Sequence, residues 1–145
     1  MDSVPPDNGH RRPPGATDET IRALGKLSEA FETVEHARGL LHGFHRLTGA
    51  ADLALGEAVG LLREAGHVQI ADTLEHDMVG RNVIEGRWTF QIVEDYDATY
   101  YRVFEALEER ARNQLVGGRR HLLEAEMKED RRTPGLRHHE SRPNE

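Results

Sequence analysis

Residues 83 to 116, VIEGRWTFQIVEDYDATYYRVFEALEERARNQLV, hold six of the chain's eight aromatic side chains. Read at helical spacing, Val93, Tyr96, Tyr100, Val103 and Leu107 recur at intervals of three and four, which draws one apolar stripe along one helix. A different face carries Glu94, Asp97, Tyr101, Glu105 and Glu108. A helix with one face to bury and one to show needs other helices to bury against, so this stretch points to an all-α fold.

The preceding chain supplies candidates. Thr17 or Asp18 caps a long helix over about residues 18 to 47. Leu24, Leu27, Phe31, Val34 and Leu41 mark a seam whose period is closer to 3.5 than 3.6. Continuing it places Arg38 and His45 at or beside the packed face. Gly39 and Gly43 each weaken the helix by roughly 1 kcal/mol relative to Ala. A break is expected at Thr48-Gly49. A second helix over 50 to 65 turns Ala51, Leu55, Ala58, Leu62 and Ala65 inward and ends at Gly66. A third, over 68 to 78, turns Ile70, Ala71, Leu74 and Met78 inward. Spacing leaves open whether residues 50 to 78 are one helix or two.

Residues 79 to 88 form a loop too apolar to be freely solvated. Thr89 is the expected cap of the aromatic helix, which runs to about Val116 and stops or bends at Gly117-Gly118. A short last helix follows over 119 to 129. The expected architecture is an antiparallel helical bundle: two long helices, about 18–47 and 89–116, a broken middle helix and a short C-terminal one. Residues 1 to 16 and 130 to 145 read as disordered tails by composition, leaving one domain over 17 to 129.

Charge and composition narrow the function. Residues 17 to 109 carry 18 acidic and 8 basic side chains, and residues 110 to 145 carry 6 and 9. An acidic body argues against a nucleic-acid reader. No apolar run spans a bilayer, and the N-terminal stretch lacks the apolar region of a secretory signal, so the cytoplasm is the expected location. There is no cysteine, which removes disulfides, thiolate metal sites and cysteine nucleophiles. The three serines, Ser3, Ser28 and Ser141, offer no nucleophile motif.

Four constellations carry candidate chemistry. A ferritin-like di-iron site needs two Glu-x-x-His motifs, and only Glu64-Ala65-Gly66-His67 is present, with Gly66 ending the helix inside it. His42 and His45, with Glu35 one heptad before His42, offer two imidazoles and a carboxylate to Zn²⁺ or Fe²⁺, with His121 among the histidines available to add a ligand. Arg38 and His45, with Tyr96 and Tyr100, form either a polar core layer or the lining of a pocket for a small anion; Glu57, Asp95 and Asp97 are the candidate partners of Arg38. Tyr101 among Glu94, Asp97 and Glu105 is a candidate protein-partner surface.

Hydrophobic content is 37%, low for a self-sufficient core. The expected function is therefore a non-enzymatic interaction or regulatory protein that completes its core as a homodimer, with another protein as a further partner. The alternative is a metal- or small-ligand-binding bundle, an oxidoreductase or a sensor.

Overall fold

The computed structural model describes residues 6 to 142; the outermost parts of both expected tails lie outside the described residues. The elements are α1 (Asp18–Glu64), α2 (Val68–Asp77), α3 (Thr89–Tyr96), a π-helical turn (Asp97–Tyr101), α4 (Arg102–Val116) and α5 (Leu122–Arg131). The fold is all-α; extended pairing among the described residues is limited to an isolated bridge between Ile84 and Arg87. No helix among the described residues is long and apolar enough to cross a membrane.

The 47 residues of α1 run straight through Thr48-Gly49, where a break was expected. The reason is visible in burial. Leu24, Phe31, Arg38, His45, Asp52 and Val59 recur every seven residues, as do Leu27, Val34, Leu41, Thr48, Leu55 and Leu62, and all twelve are buried or half-buried. Gly49 costs about 1 kcal/mol against Ala, and a packed face that continues for two further turns on its C-terminal side outweighs that. Thr17 caps the start, its hydroxyl accepting the Thr20 N–H at 3.2 Å. Gly66, at φ 88°, ends the helix. His67 N–H reaches Leu62 O at 2.8 Å and Gly66 N–H reaches Arg63 O at 3.0 Å, the double bond pattern of a Schellman cap. Residues 50 to 64 therefore belong to α1, and α2 is a separate helix.

A second apolar row on α1 faces outward among the described residues. Leu40, Phe44, Leu47, Ala51, Ala54, Ala58 and Leu61 alternate at four and three residues, and all seven are exposed. Leu47 keeps 73% of its surface and Leu40 66%. Added Cβ atoms at Gly39 and Gly43 would meet nothing within 4 Å.

The π-helical turn corrects the stripe expected on the aromatic helix. Arg102 N–H bonds to Asp97 O, five residues back, so the turn holds one residue more than an α-turn. Before it, Val93 and Tyr96 lie inward as the periodicity predicts; after it the inward set moves one place, to Tyr101, Phe104, Glu108, Arg112 and Val116. Tyr100, Val103 and Leu107, expected inside, are half-exposed.

The chain groups into two compact units. One comprises residues up to Thr33 and from Val103 onward, the other Val34–Arg102; the single domain expected over 17 to 129 is described here as these two. In the first unit, Ile21, Val116 and Leu122 form the buried cluster, with Ala16, Leu24 and Leu123 around it. The Phe31 and Phe104 rings sit 5.6 Å apart. A Cβ at Gly25 would collide with a Leu123 methyl, so this glycine lets α5 lie close on α1. Buried Arg112 closes the end of α4, donating to Gly118 O at 2.9 Å and to Glu108 Oε1 at 3.2 Å. Gly117 and Gly118 take φ of 63° and 78° there. Arg12 holds the segment before α1, with 3.0 Å bonds to both carboxylate oxygens of Glu126 and a 2.6 Å bond to Asp18.

In the second unit, α2 buries Ala71 fully, while Ile70 and Met78, expected inward, stay about half exposed. Arg63 bonds Asp72 and Glu75 of α2. The loop before α3 is tied to α1 through Gly80, while Val83, Ile84 and Trp88, expected to pack on the bundle, stay 39%, 57% and 42% exposed. Gly80 N–H donates to Asp52 Oδ1 at 2.8 Å, and Trp88 Nε1–H donates to Gly80 O at 3.2 Å. Thr89 does not cap α3; the Gln91 side chain takes that part, accepting Trp88 N–H at 2.8 Å.

Ile21 is one of the two largest fully buried side chains. Ile21→Ala is expected to lower unfolding free energy by about 2–4 kcal/mol, measured by urea denaturation followed by circular dichroism.

Candidate functional site

Three successive positions of one α1 row are polar: Arg38, His45 and Asp52. A polar side chain on a packed face must find a hydrogen-bond partner or lose the free energy of its desolvation. Each of the three finds one on the returning chain of the second unit. Arg38 donates through Nε and a terminal nitrogen to the two oxygens of Asp97, at 2.7 and 3.0 Å. His45 Nδ1 lies 2.6 Å from Thr89 Oγ1. Asp52 accepts the Gly80 N–H. As α1 advances from 38 to 45 to 52, the partners retreat from 97 to 89 to 80, so the two strands of chain run antiparallel in fixed register.

The first rung is the most elaborate. The Arg38 guanidinium lies 4.4 Å from the centroid of the Tyr101 ring, and that of Arg102 lies 5.2 Å from it. The Tyr101 hydroxyl donates to Glu35 Oε1 at 3.0 Å. Tyr101 keeps only 5% of its surface. The ring is thus held by a carboxylate at its edge and cations at its faces, the arrangement its quadrupole favours. The bidentate hydrogen bond from Arg38 holds Asp97 below the usual carboxylate range against the opposing effect of burial, with the charges of Arg38, His42 and Arg102 adding to it. The reciprocal bond pushes Arg38 up.

Of the residues that spacing singled out, the polar layer brings together Arg38, Asp97, Tyr101 and Glu35. His45 joins a separate rung. Tyr96 and Tyr100 pack on each other, ring centroids 5.5 Å apart, with Tyr96 half-buried and Tyr100 outward. Tyr101, expected at the centre of a partner surface, is inside, because the π-helical turn rotates it there. Asp97 and Glu105 are half-buried with it, and Glu94 alone of that group stays on the exposed face. His42, His45 and Glu35 do not converge as a ligand set: Glu35 accepts from Tyr101, His45 meets Thr89, and His42 Nε2 is buried with no hydrogen-bond partner among the described residues.

Among the described residues, the ligand atoms that do converge are those of Glu32, His121 and Glu124, within 4.8 Å of one another and all exposed. This group belongs to the first unit. Spacing reached only His121; the His-x-x-Glu step from His121 to Glu124 was its one local signal, and nothing in sequence linked either to Glu32. The second unit also has an apolar cavity of about 420 Å³, lined by Thr48, Ala51, Leu55, Met78, Val83 and Trp88 among others, with Asp52 and Arg81 as its charged residues. Compared with protein-family models, curated proteins and solved structures, the chain finds no match.

A double-mutant cycle of Arg38→Met and Asp97→Asn is expected to return a coupling of about 1–2 kcal/mol, as for a charge-assisted pair that keeps some solvent contact. The folded-state pKa of Asp97 lies below its unfolded value. The pair's contribution is therefore complete above the unfolded carboxylate pKa of ~4 and is lost as pH falls through the folded one. Acid titration of stability should accordingly be flatter below pH ~4 in Asp97→Asn than in the parent chain.

Proposed function

We propose that this chain is a non-enzymatic helical interaction or regulatory protein that acts as a homodimer, in the cytoplasm. One observation carries the reading: the balance of buried and exposed apolar side chains. Among the described residues Ile21 and Val116 are the largest fully buried side chains, whereas in the exposed row of α1 Leu47 is 73% exposed, Leu40 66% and Leu61 65%. Single exposed leucines are ordinary on a protein surface, but an aligned row of them marks an interaction surface. The polar rungs suit the same reading. Buried polar groups at isolated seam positions fix register and partner choice in packed helices, and here each is satisfied inside the chain, leaving the apolar row to meet a partner.

A second reading, binding of a small apolar ligand, draws on the 420 Å³ cavity, whose size falls within the range of small-molecule sites. Metal binding at Glu32, His121 and Glu124 is its other form. Native mass spectrometry of protein purified without chelator separates the readings in one spectrum. The expected result is a dimer of unmodified chains. A monomer overturns self-association; a stoichiometric metal or organic adduct moves the function to the second reading.

A further inference from the structure

The exposed row on α1 has an internal asymmetry that specifies its own partner. Its first half is large (Leu40, Phe44, Leu47) and its second half small except at the end (Ala51, Ala54, Ala58, then Leu61). Two copies laid parallel would set Phe44 against Phe44 and alanine against alanine, crowding one end and leaving a void at the other. Two copies laid antiparallel meet large against small at every layer: Phe44 opposite Ala54, Leu47 opposite Ala51, Leu40 opposite Ala58. That is the knobs-into-holes register of an antiparallel helix pair, with the two-fold axis level with Gly49.

Charge agrees with size. Between Gly39 and Leu62 the charged side chains outside the inward row are Arg46, before the midpoint, and Glu57, after it; Asp52 belongs to the inward row, where it accepts the Gly80 N–H. Antiparallel pairing brings the basic end of one copy over the acidic end of the other, whereas parallel pairing stacks like on like. Depletion of charge along the row is also what the centre of a protein interface shows. Open space around Gly39, Gly43, Gly56 and Gly60, where an added Cβ would meet nothing within 4 Å, leaves the flanks of the row unobstructed.

From this we infer that the row Leu40–Leu61 of α1 is the docking surface for a second copy of this chain, bound antiparallel with large side chains seated on alanines. The inference rests on the self-association proposed above and adds its face, direction and register.

The chain has no cysteine, so single cysteines report on geometry directly. In a mixture of Leu40→Cys and Ala58→Cys chains, a short thiol-to-thiol cross-linker is expected to produce a covalent heterodimer. Leu40→Cys alone is expected to stay unlinked, because the two copies of position 40 lie roughly 27 Å apart in this register. Phe44→Glu, which buries a charge against Ala54, is expected to weaken the dimer at least tenfold, by roughly 1.4 kcal/mol or more, with helical content unchanged. Self-linking of Leu40→Cys overturns the antiparallel direction. A dimer by native mass that gives no heterodimer link, or that tolerates Phe44→Glu, overturns the choice of face and leaves self-association standing. A monomeric parent chain overturns both.

Discussion

The backbone bond from Arg102 to Asp97 spans five residues instead of four, and the inward face of the helix that follows depends on it. An α-turn at this point would have continued the stripe through Tyr100, Val103 and Leu107. With the extra residue, Tyr101 comes under the guanidinium of Arg38, and Asp97, at the first position of the turn, meets the same guanidinium side-on, through Nε and a terminal nitrogen. The cation on the α1 seam and the π-helical turn support each other. Arg38 needs an anion and tolerates an aromatic face; the turn supplies both from residues four apart. Without Arg38, a wider turn and a half-buried carboxylate would have little to hold them.

That dependence explains what the sequence made legible and what it hid. The heptad row of α1 was readable because it is a regular pattern on a regular helix, and Arg38 and His45 stood out as polar interruptions of it. Asp97 was among three candidate partners for Arg38, separated only by which face each occupied. Face assignment assumes 3.6 residues per turn throughout, and a single five-residue turn breaks the assumption for everything downstream. Tyr101 was thus placed outside for a sound local reason that the backbone overrode. The break expected at Thr48-Gly49 failed differently. Glycine preference is worth about 1 kcal/mol, and an inward row that continues through Leu55, Val59 and Leu62 outweighs it. Gly66, where a left-handed residue and the end of the row coincide, was correctly a stop. The grouping of Glu32 with His121 and Glu124 joins distant segments, and no spacing rule reaches that far.

The two rows on α1 serve different ends. The inward row contains an ion pair, a histidine–hydroxyl bond and a carboxylate–amide bond at consecutive heptads. Such contacts contribute modestly to stability but exclude alternative registers, since a slip of one residue would strand three polar groups at once. The exposed row has no polar residue among its seven, and what varies along it is the size of its side chains.

The spacing of the polar rungs also fixes a hand. Arg38, His45 and Asp52 recur at seven residues, whereas a straight α-helix repeats its faces at 7.2, so a row at strict sevens drifts by ~20° per heptad. A segment that bonds all three in turn must follow the drift. The chain from Gly80 to Asp97 is therefore obliged to wind around α1 in a left-handed sense, and any helix that lies along the exposed row, which keeps the same period, inherits the same winding.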